Sequence, residues 1–86
     1  MNVIWKYEIA VVGKSTIKAP EDAWFLTGQM QGDNLCVWAI VDTKAPMVEK
    51  DIVVVATGEI FDATKHEYIA TIQVPFGFVW HIFGVL

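Results

Sequence analysis

Apolar residues recur at every second position along nearly the whole chain, and no stretch of twelve residues carries the 3.6-residue spacing of an amphipathic helix. Alternation of this kind puts successive side chains on opposite faces of an extended backbone, so it excludes a helical bundle and predicts an all-β fold. In the opening segment, Asn2 to Val11, the residues Val3, Trp5, Tyr7 and Ile9 fall on one face and Ile4, Lys6 and Glu8 on the other. Gly13-Lys14-Ser15 and Pro20-Glu21-Asp22 read as turns on either side of a short edge-like strand, Thr16-Ile17-Lys18. Ala23 to Gln31 and Asn34 to Val41 form the clearest hairpin, closed by Gly32-Asp33, residues that tolerate the positive φ of a tight turn.

Further along, Thr43 to Lys50 is the longest polar interruption and reads as a loop, with room for one helical turn beginning at Pro46. Ile52-Val53-Val54-Val55-Ala56 is β-branched at four successive positions, which predicts a strand covered on both faces, in the middle of a sheet or at a subunit contact. A second long connection runs from Gly58 to His66. Tyr68 to Val74 and Phe78 to Phe83 then make a last hairpin around Pro75-Phe76-Gly77. With no repeat, linker or low-complexity tract, these segments predict a single domain over residues 1–86. Its expected architecture is a small antiparallel sandwich or partly closed barrel of six to seven short strands.

A chain of 86 residues buries only about 60 to 65% of its unfolded surface. Yet 55% of these residues are apolar and 13% aromatic, with 19% charged. That is more apolar surface than one such core absorbs, so a homo-oligomer, dimer or tetramer, is expected. The net charge is −4, and all six basic residues are lysines. Without arginine forks or a basic face, neither DNA nor RNA is expected as a partner. The lone Cys36 forms no intrachain disulfide, and the charged N-terminus lacks a secretory apolar run, which together point to the cytoplasm. Tyr68 to Leu86 has the length of a membrane span and no Lys, Arg, Asp or Glu. Pro75, Gly77, Gln73 and His81 interrupt it, and no membrane partner is expected.

Chemistry-bearing constellations are absent from the sequence. Cys36 lies mid-strand with no basic neighbour, His66 and His81 have no metal-ligand spacing, and Ser15 is the one serine. No G-x-S-x-G motif accompanies it, so no enzyme, metal or cofactor is expected. Gly13-Lys14-Ser15 is the tail of a phosphate loop without its first glycine or its helix; at most, its turn is a weak anion cradle. The strongest anomaly is four tryptophans, Trp5, Trp24, Trp38 and Trp80. Filling a core and a subunit interface accounts for most of them, while stacking on a planar ligand is the alternative for one or two.

Six segments carry a resemblance across nearly the whole chain: Ile4-Trp5-Lys6-Tyr7-Glu8-Ile9, Ile17-Lys18-Ala19-Pro20, Trp38-Ala39-Ile40-Val41-Asp42, Val54-Val55-Ala56-Thr57-Gly58, Tyr68-Ile69-Ala70-Thr71-Ile72-Gln73 and Phe78-Val79-Trp80-His81-Ile82-Phe83. In order and spacing they resemble a family of small all-β phage proteins, most without an assigned activity. The pattern is also similar to phage anti-CBASS sponges, which bind cyclic nucleotide defence signals as multimers without cleaving them. One departure is the C-terminus, where Gly84-Val85-Leu86 stands in place of the acidic residue that commonly follows the final aromatic.

That resemblance implies a small nucleotide ligand held in the cytoplasm of an infected host cell. Since the chain is acidic, phosphate-facing donors would have to be local. Candidates are Lys6, Lys14 with Ser15, Thr57 with the Gly58 N–H, Thr71 and His81, with Trp5 or Trp38 stacking on the base. The alternative is a phage structural or protein-interaction module with no small ligand, for which an exposed apolar or edge-strand surface suffices.

Overall fold

The computed structural model describes all residues, Met1–Leu86. Seven strands follow one another: β1 (Asn2–Ile9), β2 (Gly13–Pro20), β3 (Trp24–Gln31), β4 (Asn34–Asp42), β5 (Met47–Ala56), β6 (His66–Gln73) and β7 (Val79–Val85). Single 3₁₀ turns at Ala63–Lys65 and Pro75–Gly77 precede β6 and β7. The strands form two antiparallel sheets, β1-β4-β3 and β2-β5-β7-β6, packed as a sandwich with no closed barrel. The molecule measures 41 × 30 × 16 Å. Its thinness means that one layer of side chains between the sheets is the whole core.

That layer is what the alternation specifies. Ile9, Leu35, Val37, Ile52, Val54, Ile72 and Ile82 point inward and pack together, with Tyr7, Phe25 and Trp80 against them. The predicted Gly32-Asp33 hairpin is present, with Gln31 opposite Asn34 and Gly32 at φ 61°. Ile52, Val54 and Val55 are all buried, as the β-branched run requires. Of the two places foreseen for that run, it takes the middle of a sheet, with β2 on one side and β7 on the other.

Its outer face is covered from within the chain. β5 and β6 are both antiparallel to β7, hence parallel to each other, and a parallel pair needs a connection that returns along the strand length. Thr57 to Lys65 makes this crossover. Phe61 lays its ring on Phe83 at 4.9 Å and on His66 at 5.7 Å, which puts the crossover on the outer face of the four-stranded sheet.

Three expectations are corrected. Gly13-Lys14-Ser15 is not a turn: Lys14 pairs with Val53 and Ser15 with Ile52, and the chain reverses at Ala10–Val12 instead. The strand expected at Thr16-Ile17-Lys18 is therefore eight residues long, though it is an edge strand. Thr43 to Lys50 is not all loop, because β5 begins at Met47. The physical reason is the same for both: polar residues enter the ladder where the partner strand offers opposite charge or a hydroxyl, as Lys18 faces Glu49 and Thr16 faces Asp51. Finally, Tyr68 to Leu86 is a two-stranded hairpin, and no helix is long and apolar enough to cross a membrane.

The two sheets approach closely at one glycine. A Cβ on Gly28 would stand 2.6 Å from Ile82 Cδ1, 3.2 Å from the Cys36 carbonyl oxygen and 3.3 Å from Val37 Cγ1. Ile82 is fully buried and has nowhere to retreat. Gly28→Ala is expected to lower stability by about 1–3 kcal/mol through overpacking. Urea denaturation followed by tryptophan fluorescence measures this, and an unchanged midpoint would contradict such close sheet packing.

Candidate functional site

On the outer face of the four-stranded sheet, parity places Thr71 of β6 directly opposite His81 of β7, while Val55 of β5 flanks His81 on the other side. Thr57 stands just past the end of β5. These positions build a chain of side-chain hydrogen bonds: Thr57 Oγ1 lies 2.8 Å from His81 Nε2, His81 Nδ1 lies 3.1 Å from Thr71 Oγ1, and Thr71 Oγ1 lies 2.9 Å from Tyr68 Oη. A neutral imidazole offers one donor and one acceptor, and hydroxyls offer both, so the protons of this chain can run in either direction. Tyr68 rests edge-on against Phe83 at 5.7 Å, joining the chain to the Phe61–His66–Phe83 cluster.

Thus three of the nine expected ligand-binding residues, Thr57, Thr71 and His81, come together from three different segments. Gly58 is next to Thr57, but its turn is already closed by the chain's own carboxylate, because the Ala56 N–H donates to Glu59 Oε1 at 3.0 Å. Lys14 lies on the same face of the sheet, engaged by Asp51 at 3.6 Å. Ser15 Oγ accepts the Ala10 N–H at 2.8 Å, so the cradle expected at Gly13-Lys14-Ser15 is a strand start with its groups in use.

The other three are elsewhere. Lys6 and Trp38 are cross-strand partners on the outer face of β1-β4-β3, on the far side of the molecule, and Lys6 Nζ donates to Gln31 Oε1 at 2.5 Å. Trp5 has the parity of Tyr7 and Ile9, and so faces the opposite side of its sheet from Trp38. The nine residues do not form one pocket. Cys36 is buried without a basic partner, and no three His, Cys, Asp or Glu side chains meet in a metal-binding group.

Two features escaped sequence reasoning. The first is an apolar outer face on β1-β4-β3, where Trp24 and Ile4 flank Ile40 and remain 69% and 59% exposed, with half-buried Trp38 beside them. The second is a cleft of about 380 Å³ at one end of the sandwich, lined among others by Trp24, Phe25, Lys50, Glu67, Tyr68 and Gly84. Lys50 and Glu67 fall in stretches that read as loops from the sequence. Their inward parity appears only once β5 and β6 are seen to extend through them.

Set against known families, residues 1–86 match the model described as Domain of unknown function (DUF7352). The chain belongs to the DUF7352 family. No curated protein and no solved structure matches it.

In this DUF7352 domain, one titrating group ties the edge strand β2 to β5. The Thr16 hydroxyl, donating to Asp51 Oδ1 at 2.6 Å, holds the Asp51 carboxyl below its ordinary value; desolvation opposes it in part, and the nearby Lys14 ammonium adds smaller lowering effects. A carboxyl lowered by folding stabilises the folded state above its unfolded value and loses that contribution as pH falls through the folded value. Wild type should therefore exceed Asp51→Asn in Tm at neutral pH, with the gap closing below about pH 4. A gap independent of pH would show that Asp51 acts by packing alone.

Proposed function

We propose that the chain is a non-catalytic interaction protein that works as a homo-oligomer, joining copies through the outer face of β1-β4-β3. The observation that carries this reading is the uncovered apolar face at Ile4, Trp24, Trp38 and Ile40. On the opposite outer face the chain's own crossover lays Phe61 over Phe83, although Tyr68 and Ile60 stay exposed there; this one has no crossover at all. Large aromatic side chains exposed on a flat sheet are the composition of an interface centre, and desolvating them is the driving force for association. Lys6 and Glu8 lie together beside the patch, so a two-fold arrangement can set the lysine of one copy near the glutamate of the other.

A second reading is sequestration of a cyclic nucleotide defence signal in the cytoplasm of a phage-infected cell. What favours it is the meeting of Thr57, Thr71 and His81, which offers hydroxyl and imidazole donors beside the Tyr68 ring. The protein's acidity and the engagement of Lys14 by Asp51 weigh against it.

Sedimentation equilibrium at micromolar concentration should give a species heavier than 9.6 kDa. Ile4→Lys, a change at an exposed position, should shift it to monomer with Tm preserved. A wild-type monomer would sink the assembly reading. Native mass spectrometry with cyclic nucleotides tests the second reading separately. Intact nucleotide should be recovered after heat denaturation, and linear products would contradict the non-catalytic claim.

A further inference from the structure

We propose that the cleft over Gly84 binds a small planar heteroaromatic molecule that carries one anionic group and one amino group. The site goes beyond the assembly reading and uses none of Thr57, Thr71 or His81.

Gly84 is a glycine that its own strand does not call for. It sits inside β7 with an ordinary extended backbone, and a Cβ there would meet only Ile69 Cδ1 at 3.9 Å, a normal contact. Neither conformation nor packing requires a glycine, in contrast to Gly28. A strand-interior glycine weakens its strand, and one such position is where another molecule approaches bare backbone closely.

The cleft also carries opposite charges. Glu67 pairs with Gly84 across β6 and β7, and Lys50 shares the inward parity of Ile52, which pairs with Gly84 from β5. Lys50 and Glu67 thus stand on the two strands that flank β7, about 10 Å apart at the backbone as two strand spacings. Neither takes part in an ion pair or a side-chain hydrogen bond: the ion pairs are Lys14 with Asp51 and Lys65 with Asp62. Asp51, which also lines the cleft, has its carboxylate committed to Thr16 and Lys14.

The cleft therefore offers a free ammonium at one side, a free carboxylate at the other, and a bare floor with Phe25 and Trp24 at its wall. Its volume, about 380 Å³, lies within the range of small-molecule sites. The ammonium suits one anionic group and the carboxylate suits an amino N–H, while a flat ring fits between. A ligand with anions at both ends would set one of them against Glu67.

Adenosine monophosphate, adenosine and inosine monophosphate are suitable probes, titrated against the full chain by tryptophan fluorescence and ligand-observed NMR. Adenosine monophosphate should bind about tenfold tighter than either of the others, the size of one charge-assisted hydrogen bond. Lys50→Met should reduce it to the adenosine level, and Glu67→Gln should erase its advantage over inosine monophosphate. Gly84→Val should abolish binding of all three; if it unfolds, Gly84→Ala, which the Ile69 contact tolerates, should weaken it. No saturable binding of adenosine monophosphate by about 5 mM, or binding unchanged in the Lys50 and Glu67 variants, overturns the proposal. Cyclic dinucleotide binding without any binding of adenosine monophosphate would leave the second functional reading standing while this site fails.

Discussion

Everything in this molecule hangs on a single layer of side chains held between two sheets, and Ile82 stands where that layer is thinnest. It is fully buried, paired with Val54 on one side and Ala70 on the other, and its tip rests over Gly28 of the facing sheet. A large residue against a missing side chain lets the sheets close at this point. Because the core is one layer deep, only 17 of 86 residues are buried, and the apolar surplus in the composition must go to the outer faces.

Those outer faces have been resolved in different ways. The four-stranded sheet uses its own chain: the parallel relation of β5 and β6 forces a crossover, and Phe61 brings an aromatic cover to Phe83. The same face carries the polar residues, with Thr57, Thr71 and Tyr68 satisfying His81 and one another. The three-stranded sheet is linked by hairpin and edge connections that never cross its outside, so Trp24 and Ile4 have no intramolecular cover. The asymmetry follows from topology, since only β5 and β6, consecutive in the chain and parallel with β7 between them, demand a crossover within one sheet.

Alternation made the strands legible and left their partners hidden. The β3–β4 hairpin, a strand covered on both faces at Ile52 to Ala56 and the shared face of Val3, Trp5, Tyr7 and Ile9 all follow from parity and turn chemistry within a few residues. Lys14 and Glu49 read as turn or loop because their polarity is matched only by residues far away in sequence, Asp51 and Lys18. The residues expected at a nucleotide site are dispersed within one chain for a related reason. Parity says which residues share a face within one strand, and the register then pairs Lys6 with Trp38 and Thr71 with His81. Parity cannot say that these faces lie on opposite sides of the molecule, because that depends on sheet order.

The same limit explains where the cleft lies. In a two-layer sandwich the space between the sheets is the one concave region, and alternation normally fills it with aliphatic side chains. Inward positions that carry charge instead mark where the layer opens to solvent. Lys50 and Glu67 are such positions, both toward the same end of the sandwich, with Gly84 between them adding no side chain to fill the gap. An inward-facing charge in a strand is costly unless solvent or an opposite charge reaches it. Two of opposite sign at one opening, neither in an ion pair, define a polar frame that water fills in the free molecule and that a ligand of matching polarity can take over.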